Sequence, residues 1–211
     1  MKRMLLVGAS LVAAATLLAQ TQPSARPAQP LPEDKHEGIT LSVDAYTRSD
    51  RSKDKFGKAN PLAVGILPVE IFFKNDTNLP VKLDMDTIQL EYRPDGGRKQ
   101  DVDWLSALQV ATEVAHPGGP SQPKTRRFPI GVGVPKDDKR DKMLALLKPF
   151  AFDADILPPN ATIHGFLFFD VSGRMPAPGE ATLYVPDLTE ATSNKTLMFF
   201  EVPLGNSASA Q

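Results

Sequence analysis

The run IHGFLFFDV, residues 163–171, decides how the rest of the chain is read. Phe166, Leu167, Phe168 and Phe169 stand side by side in it, soon after the turn formers Pro158, Pro159 and Asn160. Successive side chains on a strand point to opposite faces, so four adjacent large apolar residues need cover on both faces. The run therefore predicts a central strand buried on both sides.

Outward from it the chain keeps the same character. Ala181–Val185 and Thr196–Val202 follow as short strands, each preceded by turn residues. Before it, Ile66–Lys74 carries Val69, Ile71, Phe72 and Phe73 and stops at Asn75, Asp76, Thr77 and Asn78. Those four side chains bond readily to nearby backbone and so favour a turn. Val81, Leu83 and Met85 fall on odd positions, whereas Ile88, Leu90 and Tyr92 fall on even ones, which places a bulge or short corner at Asp86 and Thr87. Ile39, Leu41, Val43 and Ala45 alternate with polar residues as a half-buried strand. Thr47–Pro61 is a mixed-charge run that reads as an exposed loop, and Phe128–Val134 offers an edge strand inside a Gly- and Pro-rich stretch.

Two segments carry a helical period. Trp104, Leu108, Ala111 and Ala115 share one face, with Asp101 or Asp103 as N-cap and Pro117 as stop. Asp137–Lys148 has acidic residues early, a stripe of Met143, Leu146 and Leu147, and Pro149 at its end. About seven strands with irregular connections predict a mainly all-β fold, an antiparallel two-sheet sandwich with two short peripheral helices.

The ends read differently from the middle. Lys2 and Arg3 precede an apolar run from Leu5 to Ala19, the order of a secretory signal peptide, and the run is short of the roughly 20 apolar residues of a spanning helix. The expected organisation is a signal peptide over 1–19, a flexible Pro-rich leader over 20–37, one domain over 38–204 and a disordered tail over 205–211. The expected location is exported, periplasmic or secreted, with no transmembrane segment after cleavage. There is no cysteine, hence neither a disulfide framework nor a lipidated cysteine. Removing the signal shifts the formal net charge from −1 to −3, which argues against nucleic acid as a partner.

The order of segments KNDTNLPVKLD (74–84), DTIQLEYRPDGG (86–97) and LPPNATIHGFLFFDV (157–171) resembles the immunoglobulin-like sandwich domains of exported bacterial proteins of unknown function. The resemblance covers roughly 66–95 and 157–171, and both helical segments depart from it. It implies a binding or accessory domain and carries no functional residue with it.

Motifs of catalysis are sparse. There is no cysteine nucleophile, no Gly-x-Ser-x-Gly turn and no His-Glu-x-x-His spacing. Of the three histidines, His36 lies in the leader, His116 at a helix end, and His164 at the start of the central strand, where a structural role is expected. Gly131 and Gly133 lack the remainder of a phosphate loop. Asp84 with Asp86, and Asp153 with Asp155, are the candidates for calcium, but neither pair has the spacing of a calcium loop, so no metal or cofactor is expected. Lys124, Arg126 and Arg127 form a small basic cluster. Asn75, Asn160 and Asn194 each open an Asn-x-Thr triplet.

The expected function is non-catalytic: an exported binding or accessory domain that engages another envelope or secreted protein through a sheet edge or exposed loops. A carbohydrate- or cell-wall-binding module is the second expectation, although Trp104 is the sole tryptophan available for stacking. A hydrolase using His164 with an Asp or Glu is the third.

Overall fold

In a computed structural model of the chain, the described residues are 30–118, 136–172, 174–177 and 179–205. The signal peptide, the start of the leader, the tail from residue 206, the strand expected at 128–134 and the basic cluster at 124–127 lie outside them.

The central strand is β8, Ala161–Asp170. It pairs along its whole length with β3, Ile66–Asn75, in antiparallel register from Ile66 opposite Asp170 to Asn75 opposite Ala161. Leu167 and Phe169 face a main core shared with Leu67, Val69 and Ile71. Phe166 and Phe168 face the other way, into a second core with Tyr46, Phe56, Val110 and Leu147. The double burial expected of the run is thus met by two separate apolar layers.

The remaining strands extend this pair on both sides. β1 (Glu33–His36), β2 (Ile39–Ala45), β5 (Gln89–Tyr92), β6 (Gln100–Leu105), β9 (Ala181–Val185) and β11 (Phe200–Pro203) give an eight-stranded sheet in the order β1-β2-β3-β8-β6-β5-β9-β11. Every pairing in it is antiparallel. β4 (Val81–Leu83), β7 (Ile156–Leu157) and β10 (Leu188–Glu190) form a small second sheet, and Val81, Leu83, Leu157 and Leu188 all enter the main core. The chain is mainly antiparallel β, as expected.

The eight strands are one continuous sheet, not two separate ones, because β6 serves both halves. Its residues from Gln100 to Asp103 pair with β5, whereas Trp104 and Leu105 pair with Phe169 and Phe168 of β8. The sheet coils until its two edge strands approach each other at a seam. Side chains span that seam: the Glu201 N–H donates to Asp34 Oδ2 at 3.1 Å and the Met198 N–H to Glu37 Oε2 at 2.9 Å.

Three helices cover the outer face of β3 and β8: α1 (Ser49–Phe56), α2 (Ala107–Ala115) and α3 (Asp138–Leu147). α2 starts later than its apolar period suggested. Trp104 belongs to β6, and the helix opens at Ser106, whose hydroxyl accepts from the Gln109 N–H while Gln109 Oε1 accepts from the Ser106 N–H. This reciprocal capping box outcompetes Asp101 and Asp103, whose backbone is already committed to the ladder with β5. α3 agrees with expectation, with Asp137 accepting from the Lys139 and Arg140 N–H groups, but only Leu147 of its stripe is fully buried and Leu146 is exposed. α1 falls where an exposed loop was expected.

Two further expectations change in detail. The leader does not stay flexible to Glu37, since its last part is β1, joined to β2 through Glu37 and Gly38, both with positive φ as a two-residue hairpin turn requires. The phase slip after Met85 is a 3-10 turn over Met85–Thr87, in which Asp84 Oδ1 accepts from the Asp86 N–H at 3.0 Å.

Candidate functional site

Polar chemistry concentrates where α1 crosses the outer face of the sheet. The register places Asp44 of β2 beside Glu70 of β3, and Glu70 beside Phe166 of β8. Arg51 and Lys55, one turn apart on α1, descend onto the two carboxylates. Arg51 forks onto Asp44, Nη1 donating to Oδ1 at 2.7 Å and Nη2 to Oδ2, and its guanidinium lies 3.9 Å from the Tyr46 ring centroid. Lys55 Nζ stands 3.7 Å from Glu70 Oε1 and 5.4 and 5.2 Å from the ring centroids of Phe150 and Phe166. The Tyr46 hydroxyl donates to Glu70 Oε2 at 3.0 Å.

Glu70 is the unusual member: only 2% of it is exposed, on one of the inner strands of the sheet. Its Oε1 is the one buried side-chain polar atom among the described residues without a hydrogen-bond partner. Burial, followed by the Glu70 charge, pushes the Tyr46 phenol well above its ordinary range, so Tyr46 stays a donor. The hydrogen bonds from Arg51 to Asp44 likewise raise Arg51 and keep it charged.

His164 completes the cluster. Its Nδ1 lies 3.4 Å from Glu70 Oε1, its ring stacks on Phe72 at 5.4 Å, and its side chain is 53% exposed. The expected buried structural histidine is therefore a half-open one, on the outer face and opposite a buried carboxylate. Together Tyr46, Lys55 and His164 place a fixed donor, an amine and an imidazole around the Glu70 carboxyl group. Sequence reading passed over Glu70, Tyr46 and Lys55. The available signal was Glu70 itself, a lone carboxylate inside the otherwise apolar ILPVEIFF run at 66–73.

The other candidate residues are scattered. Asp84 and Asp86 lie in the 3-10 corner, Asp153 is exposed, and Asp155 lines a cleft of about 420 Å³ with Asp84, Asp187 and Lys82. Among the described residues no three metal-binding side chains gather to hold an ion. His36 Nε2 pairs with Asp34 at 2.9 Å and its ring packs on Phe200 beside the seam. His116 Nε2 pairs with Asp137 at 2.6 Å, tying the end of α2 to the start of α3. The Arg140 N–H, then His116, holds the Asp137 carboxyl below its ordinary range. Asn75 is buried, with Nδ2 donating to the carbonyls of Leu79 and Leu157, so its triplet does not present the amide to solvent.

On the opposite half of the sheet no described helix packs over the outer face. Met198 and Phe199, just before β11, are 52% and 47% exposed, and Phe199 packs on Tyr184 of β9 at 5.8 Å. The second core draws on no described residue of β9 or β11. Among the described residues no helix is long and apolar enough to cross a membrane.

No family model matches the chain, and no curated protein matches it. Among solved structures it is similar to a functionally unknown protein from Listeria monocytogenes EGD-e, at 13% identity and a TM-score of 0.38, over 82% of this chain and 80% of that one.

Proposed function

We propose that the chain is an exported, non-catalytic binding domain whose partner is another envelope or secreted protein, engaged at the outer face of β9 and β11. The observation that carries this reading is the exposure of Met198 and Phe199 next to Tyr184 while the other outer face is roofed by helices. Large apolar side chains grouped on a face that no described residue covers are where protein partners dock. We read the coiled sheet as an immunoglobulin-like sandwich whose two layers are the halves of one sheet, bridged by β6. Trp104 speaks against carbohydrate stacking, since its indole N–H donates to the Met85 carbonyl at 2.7 Å and its ring packs on the main core.

The test is affinity capture of envelope and secreted proteins on the chain and on a Met198→Ser, Phe199→Ser variant. Both side chains are half exposed, so the variant should keep its midpoint of thermal unfolding to within a few degrees, corresponding to roughly 0.5 kcal/mol per site. The reading expects one protein retained by the native chain and lost by the variant. Equal retention by both, or none by either, overturns it.

A further inference from the structure

We propose that Lys55 and Glu70 condense into an intramolecular amide that ties α1 to β3. The unpartnered atom in the fold is Glu70 Oε1, alone in this among the described residues, and it is the atom facing Lys55 Nζ at 3.7 Å. An ammonium–carboxylate hydrogen bond usually closes to about 2.7–2.9 Å. Here the two groups are held in register by the helix and the strand, and Oε1 lies buried between Lys55 Nζ at 3.7 Å and His164 Nδ1 at 3.4 Å with a hydrogen bond to neither. Glu70 Oε2, by contrast, is satisfied by the Tyr46 hydroxyl at 3.0 Å. Condensation removes the orphaned oxygen and keeps the satisfied one as the amide carbonyl.

The step balances within the cluster. Proton transfer from Lys55 to Glu70 gives a free amine and a carboxylic acid with no change of total charge. The Nζ lone pair attacks Cδ, and the developing charge on Oε2 is met by the Tyr46 hydroxyl, which burial keeps protonated. His164, with Nδ1 3.4 Å from Oε1, takes the excess proton from nitrogen and returns it to Oε1. The Nζ–Cδ bond forms, the Cδ–Oε1 bond breaks, and one water leaves along the half-open side marked by His164. Groups held in position reach effective molarities of about 10⁵–10⁸ M, which speeds the condensation, and the rings of Phe150 and Phe166 flank Lys55 Nζ.

Intact-mass spectrometry of the unfolded chain decides it. The native chain should be lighter than its sequence mass by one water, and peptide mapping should find the segments around Lys55 and Glu70 joined. Lys55→Arg retains a cation on α1 but has no amine to condense, so it should return to the full sequence mass. Tyr46→Phe should leave a fraction of molecules uncondensed. A native chain at full mass overturns the proposal and leaves an ion pair. A water loss that persists in Lys55→Arg overturns it as well, since the dehydration then lies elsewhere. If that variant does not fold, the peptide map of the native chain separates the same two cases, by showing the 55–70 link or its absence.

Discussion

Gly165 is needed for what it lacks. A Cβ there would stand 2.7 Å from the Cα and 2.9 Å from the N of Phe152, and those are backbone atoms. They cannot swing aside, because the Phe152 N–H donates to the Phe166 carbonyl at 3.0 Å and the Phe166 N–H donates to the Phe150 carbonyl at 2.8 Å. Gly165→Ala should therefore destabilise the fold by about 1–3 kcal/mol, the range of an overpacked core, read as a lower denaturant midpoint with an unchanged slope. A midpoint equal to that of the native chain would mean that the 150–152 segment yields freely. The sequence offers Gly165 only as one glycine inside a strand, a sign of close backbone approach that cannot say which backbone approaches. Glu70 was hidden for a related reason. A charge on a strand reads as solvent-facing, and its burial depends on α1 being laid over it from another part of the chain.

At the scale of elements, legibility followed local apolar period. β8 and β3 were readable from their own apolar runs, β2 from its own alternation, and α3 from its early acidic residues and the proline that ends it. α1 was not, since SDRSKDKF offers only Ser52 and Phe56 to the interior and its fit comes from Arg51 and Lys55 meeting carboxylates on two other strands. β1 was missed because its EDKH composition is polar throughout, and its role at the seam depends on charge. There Glu37 accepts from Lys195 Nζ at 2.8 Å and from the Met198 N–H, and these contacts, the lysine first, lower its carboxyl from the ordinary 4.5. A depressed folded value means stability that is present above 4.5 and lost as pH falls through the folded value. Glu37→Gln should thus lower the thermal midpoint at neutral pH, and the gap to the native chain should close progressively below about pH 4.5. A gap constant across that window would assign the acid loss to another carboxylate.

For the molecule as a whole, the sequence conveys strand number better than strand partnership. Period and turn residues mark where strands lie, but the β3–β8 ladder joins segments some ninety residues apart, and whether β6 ends one sheet or continues it depends on which neighbours it finds. The outcome is a sheet with an apolar layer on each side and β8 in both. Phe169 and Leu167 belong to the main core, Phe168 and Phe166 to the helical one, and consecutive residues of one strand cannot leave one layer while keeping the other in register. The two layers should consequently unfold as one unit. Trp104, the sole tryptophan, reports the main core through its fluorescence, and the far-ultraviolet helix signal reports the second. Denaturant transitions followed by the two signals should coincide in the native chain. Phe168→Ala, which empties only the helical side and should cost about 3–5 kcal/mol, should move both transitions together. If the helix signal alone shifts while Trp104 keeps its midpoint, the helical layer is a separate unit that β8 carries without coupling to the main core.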